Sequence, residues 1–145
     1  MSGMSGVTLD AECLTVFEEV KMKANHKYVL FGMSADNSKI VVIKKGSDKA
    51  KYEEFLKELA DVQTHKDCRY ALVDFDFVSP KTNQPSHKLI FYIWCPDSSD
   101  TKKKMLYTSS KEALKKSLQG VLVEIQGNSM ADVQYNKVLT KVTEK

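Results

Sequence analysis

The sequence is poor in cysteine, histidine and glycine, and it has no long apolar run. Its 145 residues include three cysteines, three histidines and six glycines. Cys13, Cys68 and Cys95 are odd in number and include no CxxC pair, so we expect neither a disulfide framework nor a cysteine–histidine metal site. The longest apolar run, residues 89–95, is far too short to span a bilayer. The first ten residues lack the basic and apolar regions of a secretory signal. These absences favour a reduced intracellular protein.

Motifs of catalysis are missing as well. The chain contains no GxGxxG, no P-loop and no GxSxG nucleophile elbow. Asp74 and Asp76 resemble a DxD metal pair, but no phosphate-binding loop accompanies them. We therefore predict a non-enzyme that needs no metal or cofactor. The net charge of +3 is too small for a bulk nucleic-acid binder, although a local basic patch stays open.

Hydrophobic periodicity predicts one domain built from helices and strands. Apolar residues at i, i+3, i+4 and i+7 indicate a helix near residues 9–23, which Thr8 would cap. The other predicted elements are strands at Tyr28–Met33, Lys39–Lys45, Arg69–Val78, 88–95 and 121–126, and helices at 52–59, 102–120 and 130–142. The strands at 69–78 and 88–95 are nearly continuously apolar, so they should be central and covered on both faces. We expect an α/β fold of the α+β type, with a central mixed β-sheet flanked by helices on both faces. The single domain would cover residues 8–145, after a mobile N-terminal segment at residues 1–7.

Positive charge is concentrated between residues 102 and 120. Six lysines stand there against one acid, Glu112, which gives a local charge of +5 (six minus one) in a chain whose total is +3. On a helical wheel, an apolar arc that includes Leu106 and Tyr107 faces the sheet, whereas Met105 lies among the lysines on the opposite arc. An apolar side chain ringed by charge is typical of a binding face. The simpler interpretation is a solvated basic surface with one exposed methionine.

Three motifs resemble those of the actin-depolymerising factor and cofilin family. Residues 94–97 read WCPD, residues 102–107 read KKKMLY and residues 67–71 read DCRYA, while SGV at residues 5–7 resembles the family's N-terminus. The resemblance covers essentially the whole chain and implies the actin-depolymerising-factor homology fold. It also implies an actin-binding protein that binds monomers and filaments, prefers ADP-actin and promotes filament depolymerisation and turnover.

The resemblance also assigns site residues position by position. The implied site for actin monomers and filaments consists of Ser5, Gly6, Lys102, Lys104, Met105, Ser110 and Leu114. Phosphorylation of Ser5 would switch this site off, since a phosphate adds about −1.5 to −2 charge. Lys88 and Lys141 are the implied filament-specific residues. Ser86 and Thr140 are neutral where the family often carries charge, so we expect severing to be weak.

The same lysines leave a second hypothesis open. Clustered lysines are sufficient for a phosphoinositide or membrane-surface binding module, in which Met105 would be incidental. The resemblance makes phosphatidylinositol bisphosphate a candidate partner beside actin. We expect a monomer in the cytoplasm, associated with the actin cytoskeleton, that binds no nucleic acid and carries no clear nuclear-entry signal.

Overall fold

A mixed β-sheet forms the centre of the molecule. The computed structural model describes residues 6–143, and within them the strands are β1 (Thr8–Leu9), β2 (Tyr28–Met33), β3 (Lys39–Lys45), β4 (Arg69–Val78), β5 (Pro85–Trp94) and β6 (Val123–Gly127). Their spatial order is β1-β3-β2-β4-β5-β6. The four inner strands pair antiparallel, whereas β1 joins β3 and β6 joins β5 in parallel. The predicted mixed sheet is confirmed.

The two strongest predicted strands form the central hairpin. β4 and β5 pair over ten residues each, from Arg69 opposite Trp94 to Val78 opposite Pro85. Side chains that alternate along β4 enter different cores, since Tyr70 lies on one face of the sheet and Ala71 on the other. A strand covered on both faces needs apolar residues at nearly every position, which is the pattern that the sequence shows.

Helices cover both faces of this sheet. Within residues 6–143 they are α1 (Glu12–Lys21), α2 (Tyr52–Thr64), α3 (Thr101–Lys115) and α4 (Tyr135–Thr143), with a short 3-10 turn at Met130–Val133. α1 and α3 pack on one face, in a core that includes Phe17, Tyr70 and Leu114. α2 and α4 pack on the other, around Phe55 and Tyr92. The two-layer covering expected of this fold class is present.

The N-terminal elements differ from the prediction. Thr8 does not cap α1, because it lies in β1, where its amide donates to the Ser38 carbonyl at 3.1 Å. The Asp10 carboxylate instead lies 3.4 Å from the Glu12 amide at the start of the helix. A two-residue strand is too short to show alternation, so the sequence gives no signal for β1. Val7 is buried in the core, which shows that packing begins before residue 8.

Later boundaries shift for local reasons. α2 runs five residues beyond its predicted end and adds Val62 to the buried stripe of Phe55 and Leu59. The predicted helix at 130–142 is divided, because Ser129 and Asp132 form a capping box that closes a separate 3-10 turn. Throughout residues 6–143, no helix combines the length and apolar character that crossing a membrane would require.

Candidate functional site

The basic end of α3 is its N-terminus. Asp100 caps the helix by accepting a hydrogen bond from the Lys103 amide at 3.2 Å, and the first turn then contains Lys102, Lys103 and Lys104 with no acid. The N-terminus of a helix carries partial positive charge, so lysines are unfavourable there and acids are preferred. Helix stability therefore does not account for these three lysines.

Two of the three lysines are anchored to loops beside the helix. The Lys103 ammonium lies 3.0 Å from the Asp67 carboxylate, and the Lys104 ammonium donates to the Asp97 carbonyl at 3.2 Å. Partial burial raises the pKa of Asp67, but hydrogen bonds from the Cys68 amide, Lys103 and Arg69 outweigh it and leave that pKa below its ordinary value. Asp67 therefore stays ionised and holds Lys103 in place.

Lys102 and Met105 are both exposed at the N-terminal end of α3. The Lys102 side chain is exposed and makes no hydrogen bond or ion pair with any residue between 6 and 143. Met105 lies one turn further on and is 66% exposed, which confirms its predicted place on the polar arc. Thr108 and Ser109, the next residues on this side, are exposed as well. The result is an accessible apolar side chain bordered by positive charge.

The opposite side of α3 is fixed to the sheet. The Tyr107 hydroxyl accepts a hydrogen bond from the Met33 amide at 3.0 Å, and the Tyr70 hydroxyl donates to the Tyr107 carbonyl. Ser110 and Leu114, which the resemblance places in the binding site, are only 1% and 0% exposed. Both side chains face the core of the free chain, and their assignment to the binding site stays a prediction. They lie directly beneath the exposed side and support it.

The lysines of the C-terminal half of α3 are engaged within the chain. Lys111 and Lys115 lie 3.4 and 2.5 Å from the Glu124 carboxylate on β6. Burial raises the pKa of Glu124, but the hydrogen bond and charge of Lys115, together with Lys111, outweigh it and lower that pKa. The hydrogen bond to Glu124 in turn raises the pKa of Lys115. Four of the six lysines of the basic segment, Lys103, Lys104, Lys111 and Lys115, are therefore held within the chain, whereas Lys102 and Lys116 are exposed.

The N-terminal residues enter the domain on the same side as α3. β1 lies against α3, and Val7, immediately before β1, is buried in the core shared with that helix. Gly6 is exposed and has a φ of 74°, a conformation that favours glycine. Ser5, the predicted phosphorylation site, lies outside the described residues.

A second basic site is formed where β5 begins and α4 ends. The Lys88 ammonium donates to the Val142 carbonyl at 3.3 Å, so it closes the C-terminal end of α4, and Lys141 is exposed on the preceding position. The structure thus brings the two predicted filament residues to one end of the molecule. Lys81, from the hairpin between β4 and β5, lines the same cleft of about 280 Å³ as Lys88 and Ser86. Nothing in the sequence pattern singled out Lys81, because its closeness to Lys88 depends on the hairpin.

Comparisons with known proteins point to one family and one fold. The family described as "Cofilin/tropomyosin-type actin-binding protein" matches residues 6–143. Cofilin of Eremothecium gossypii is 39% identical over 139 residues, which are 96% of this chain and 94% of that protein. Actophorin of Acanthamoeba castellanii is 38% identical over 135 residues, 93% of this chain and 94% of its own. The crystal structure of Streptomyces griseoflavus cofilin superposes with a TM-score of 0.84 at 36% identity and covers 95% of this chain and 98% of the other.

Proposed function

The chain belongs to the cofilin/tropomyosin-type actin-binding family, and on that premise we propose that it binds actin through the exposed start of α3. The family consists of actin-binding regulators rather than enzymes, and its members are associated with filament depolymerisation. The observation that carries the proposal is the exposure of Met105 beside Lys102, at a helix end where neither residue stabilises the fold.

The two kinds of side chain have different tasks in this binding. Lysines steer the encounter with an acidic partner and set the register, since long-range charge acts mainly on association rate and orientation. Methionine is flexible and polarizable, which suits it to fill an apolar cleft on actin. Ser110 and Leu114 act as positioning residues, because their packing holds the helix side that presents Met105.

Filament binding and filament turnover depend on a second, weaker contact with actin. Lys88 and Lys141 would contact the neighbouring actin subunit of a filament, so that the protein binds filaments as well as monomers, with preference for ADP-actin, and promotes their turnover. Both lysines lie at one end of the domain, but Ser86 and Thr140 beside them are neutral. A weak contact tethered to a strong one still adds affinity through effective concentration. We therefore expect filament binding with weak severing.

The N-terminus is the proposed control point. Gly6 and Val7 bring the chain onto the side of the domain that carries α3, so a phosphate on Ser5 would bring about −1.5 to −2 charge near the basic end of that helix. Such a charge would repel an acidic partner and compete for the same lysines. We place the protein in the cytoplasm as a monomer that acts on the actin cytoskeleton.

Phosphoinositide binding is the second candidate function. The observation in its favour is that Lys102, Lys103 and Lys104 are consecutive at an exposed helix end. Clustered lysines attract the anionic headgroups of phosphoinositides. This activity would share the lysines with actin and would make no use of Met105. Binding of phosphatidylinositol bisphosphate would then exclude actin from the same site.

Replacement of Lys102 and Lys104 by alanine tests the actin site. Loss of one hot-spot residue costs about 2 kcal/mol or more, so the affinity for actin monomers should fall at least about thirtyfold even if only one of the two lysines is such a residue. The matched control is Lys49→Ala with Lys51→Ala, which removes two exposed lysines at the same spacing from the opposite face of the sheet. Binding of fluorescently labelled actin monomers is the measurement. An affinity within about threefold of the unmodified protein would place these lysines among rim charges and remove the assignment.

A further inference from the structure

Two of the three cysteines lie opposite each other at one end of the central hairpin. Cys68 immediately precedes β4 and Cys95 immediately follows β5. The last pair of the ladder is Arg69 with Trp94, so the next pair in register is Cys68 with Cys95. Both side chains are buried in the core beneath α1 and α3, which places them on the same face of the sheet.

The backbone at this pair favours a covalent link. The Cys95 amide donates to the Gly127 carbonyl at 3.0 Å, and the Cys95 carbonyl accepts from the Asn128 side chain at 3.1 Å, so both backbone groups of Cys95 face β6. Towards β4, Cys95 therefore occupies a non-hydrogen-bonded position, where opposite Cα atoms are about 4.5 Å apart. That separation lies within the range of about 4.4–6.8 Å that disulfides tolerate. The two thiols are close enough for each to influence the pKa of the other.

We propose that Cys68 and Cys95 form a reversible cross-strand disulfide when the protein meets hydrogen peroxide. The Cys68 thiolate attacks one peroxide oxygen, which gives a sulfenic acid on Cys68 and releases hydroxide. The Cys95 thiol then attacks the Cys68 sulfur, which forms the disulfide and releases water. Two thiols are oxidised and one peroxide is reduced to two waters once the hydroxide takes up the proton that Cys68 lost when it became a thiolate.

The local environment distinguishes the two sulfurs. The hydrogen bond from the Cys95 thiol lowers the pKa of Cys68, and the same interaction, with burial, raises the pKa of Cys95. Cys68 is therefore the sulfur that attacks peroxide and Cys95 the one that resolves the sulfenic acid. The hydroxyl of Thr108, which is exposed on α3, is close enough to Cys95 to influence its pKa, so the pair lies one side chain below the surface.

The disulfide would act on the start of α3. Asp67, next to Cys68, holds Lys103, and Asp97, two residues after Cys95, holds Lys104. The Ser99 hydroxyl also donates to the Asp67 carbonyl at 2.8 Å, so the two loops are joined under the helix end. When the two sulfurs close to bonding distance, the side-chain packing between the two loops changes, and with it the positions of the groups that anchor both lysines. This consequence rests on the proposed actin site, whereas formation of the disulfide does not.

Peptide mapping of the full chain after peroxide treatment tests the bond itself. The expected result is one linked pair of peptides that contain Cys68 and Cys95, with the intact mass lower by two hydrogens and restored by dithiothreitol. Cys13→Ser is the matched control: its thiol is equally buried, donates to the Ile40 carbonyl at 3.3 Å and has a pKa raised to about 11 by burial, so the same link should form without it. Absence of the linked peptides in the unmodified chain, or a link through Cys13, would overturn the proposal.

Actin binding before and after oxidation tests the consequence. We expect affinity for actin monomers to change on the order of tenfold in the unmodified chain, an ordinary size for coupling between two sites. Cys95→Ala should form no disulfide and show no such change. A linked protein whose affinity is unaltered would refute the coupling while the disulfide stands. If neither the reduced nor the oxidised protein binds actin, the proposed function fails, and the peptide map alone still decides the disulfide.

Discussion

Met105→Gln is the sharpest perturbation of the proposed site, because it preserves side-chain length and charge and removes the apolar end. Full burial of a methionine contributes about 1.5–3 kcal/mol. Since Met105 is 66% exposed in the free chain, about two-thirds of that value, roughly 1–2 kcal/mol, remains to be gained on binding. The affinity for actin monomers should therefore fall about fivefold to thirtyfold. Thermal stability should not change, because the side chain packs little in the free chain.

Met22→Gln is the control for this substitution. Met22 is 73% exposed at the end of α1, near the C-terminal end of α3, where Lys21 donates to the Gln119 carbonyl. It is therefore separated from Met105 by most of the helix, roughly 15–20 Å at 1.5 Å per residue. Titration of labelled actin monomers measures both variants, and vesicles that contain phosphatidylinositol bisphosphate measure the lipid alternative. Equal actin affinities for Met105→Gln and Met22→Gln would refute the reasoning, because Met105 would then be an ordinary exposed residue.

The remaining predictions separate the other parts of the site. Leu114→Ala should lower the free energy of unfolding by about 2–5 kcal/mol in chemical denaturation, since the side chain is buried; a loss of actin affinity at unchanged stability would show direct contact instead. Ser5→Glu should weaken monomer binding in the same titration, whereas Ser2→Glu, three residues further from the domain, should weaken it less; equal inhibition would indicate a general charge effect. Ser86→Arg should raise binding in filament co-sedimentation and leave monomer affinity nearly unchanged, and vigorous severing of single filaments by the unmodified protein would contradict the proposed weakness of the second site.

Local patterns in the sequence determined most of the fold. The nearly continuous apolar runs of β4 and β5 required a central position, because a strand with two apolar faces must be covered on both. The 3.6-residue period of α3 likewise separated Tyr107 and Leu114 from Met105, and the structure buries the first two and exposes the third. These features depend on residues that are close in the chain, so the sequence alone contains their cause.

Only the tertiary structure decided which lysines are paired within the chain and which cysteines lie side by side. Lys111 and Lys115 look equivalent to Lys102 in the sequence, but β6 brings Glu124 against them and leaves Lys102 without a partner among residues 6–143. Cys68 and Cys95 are 27 positions apart (95 minus 68), and the register of the central hairpin sets them side by side. Register and the packing of a helix on a sheet are collective results of burying many side chains at once, and no local period encodes them.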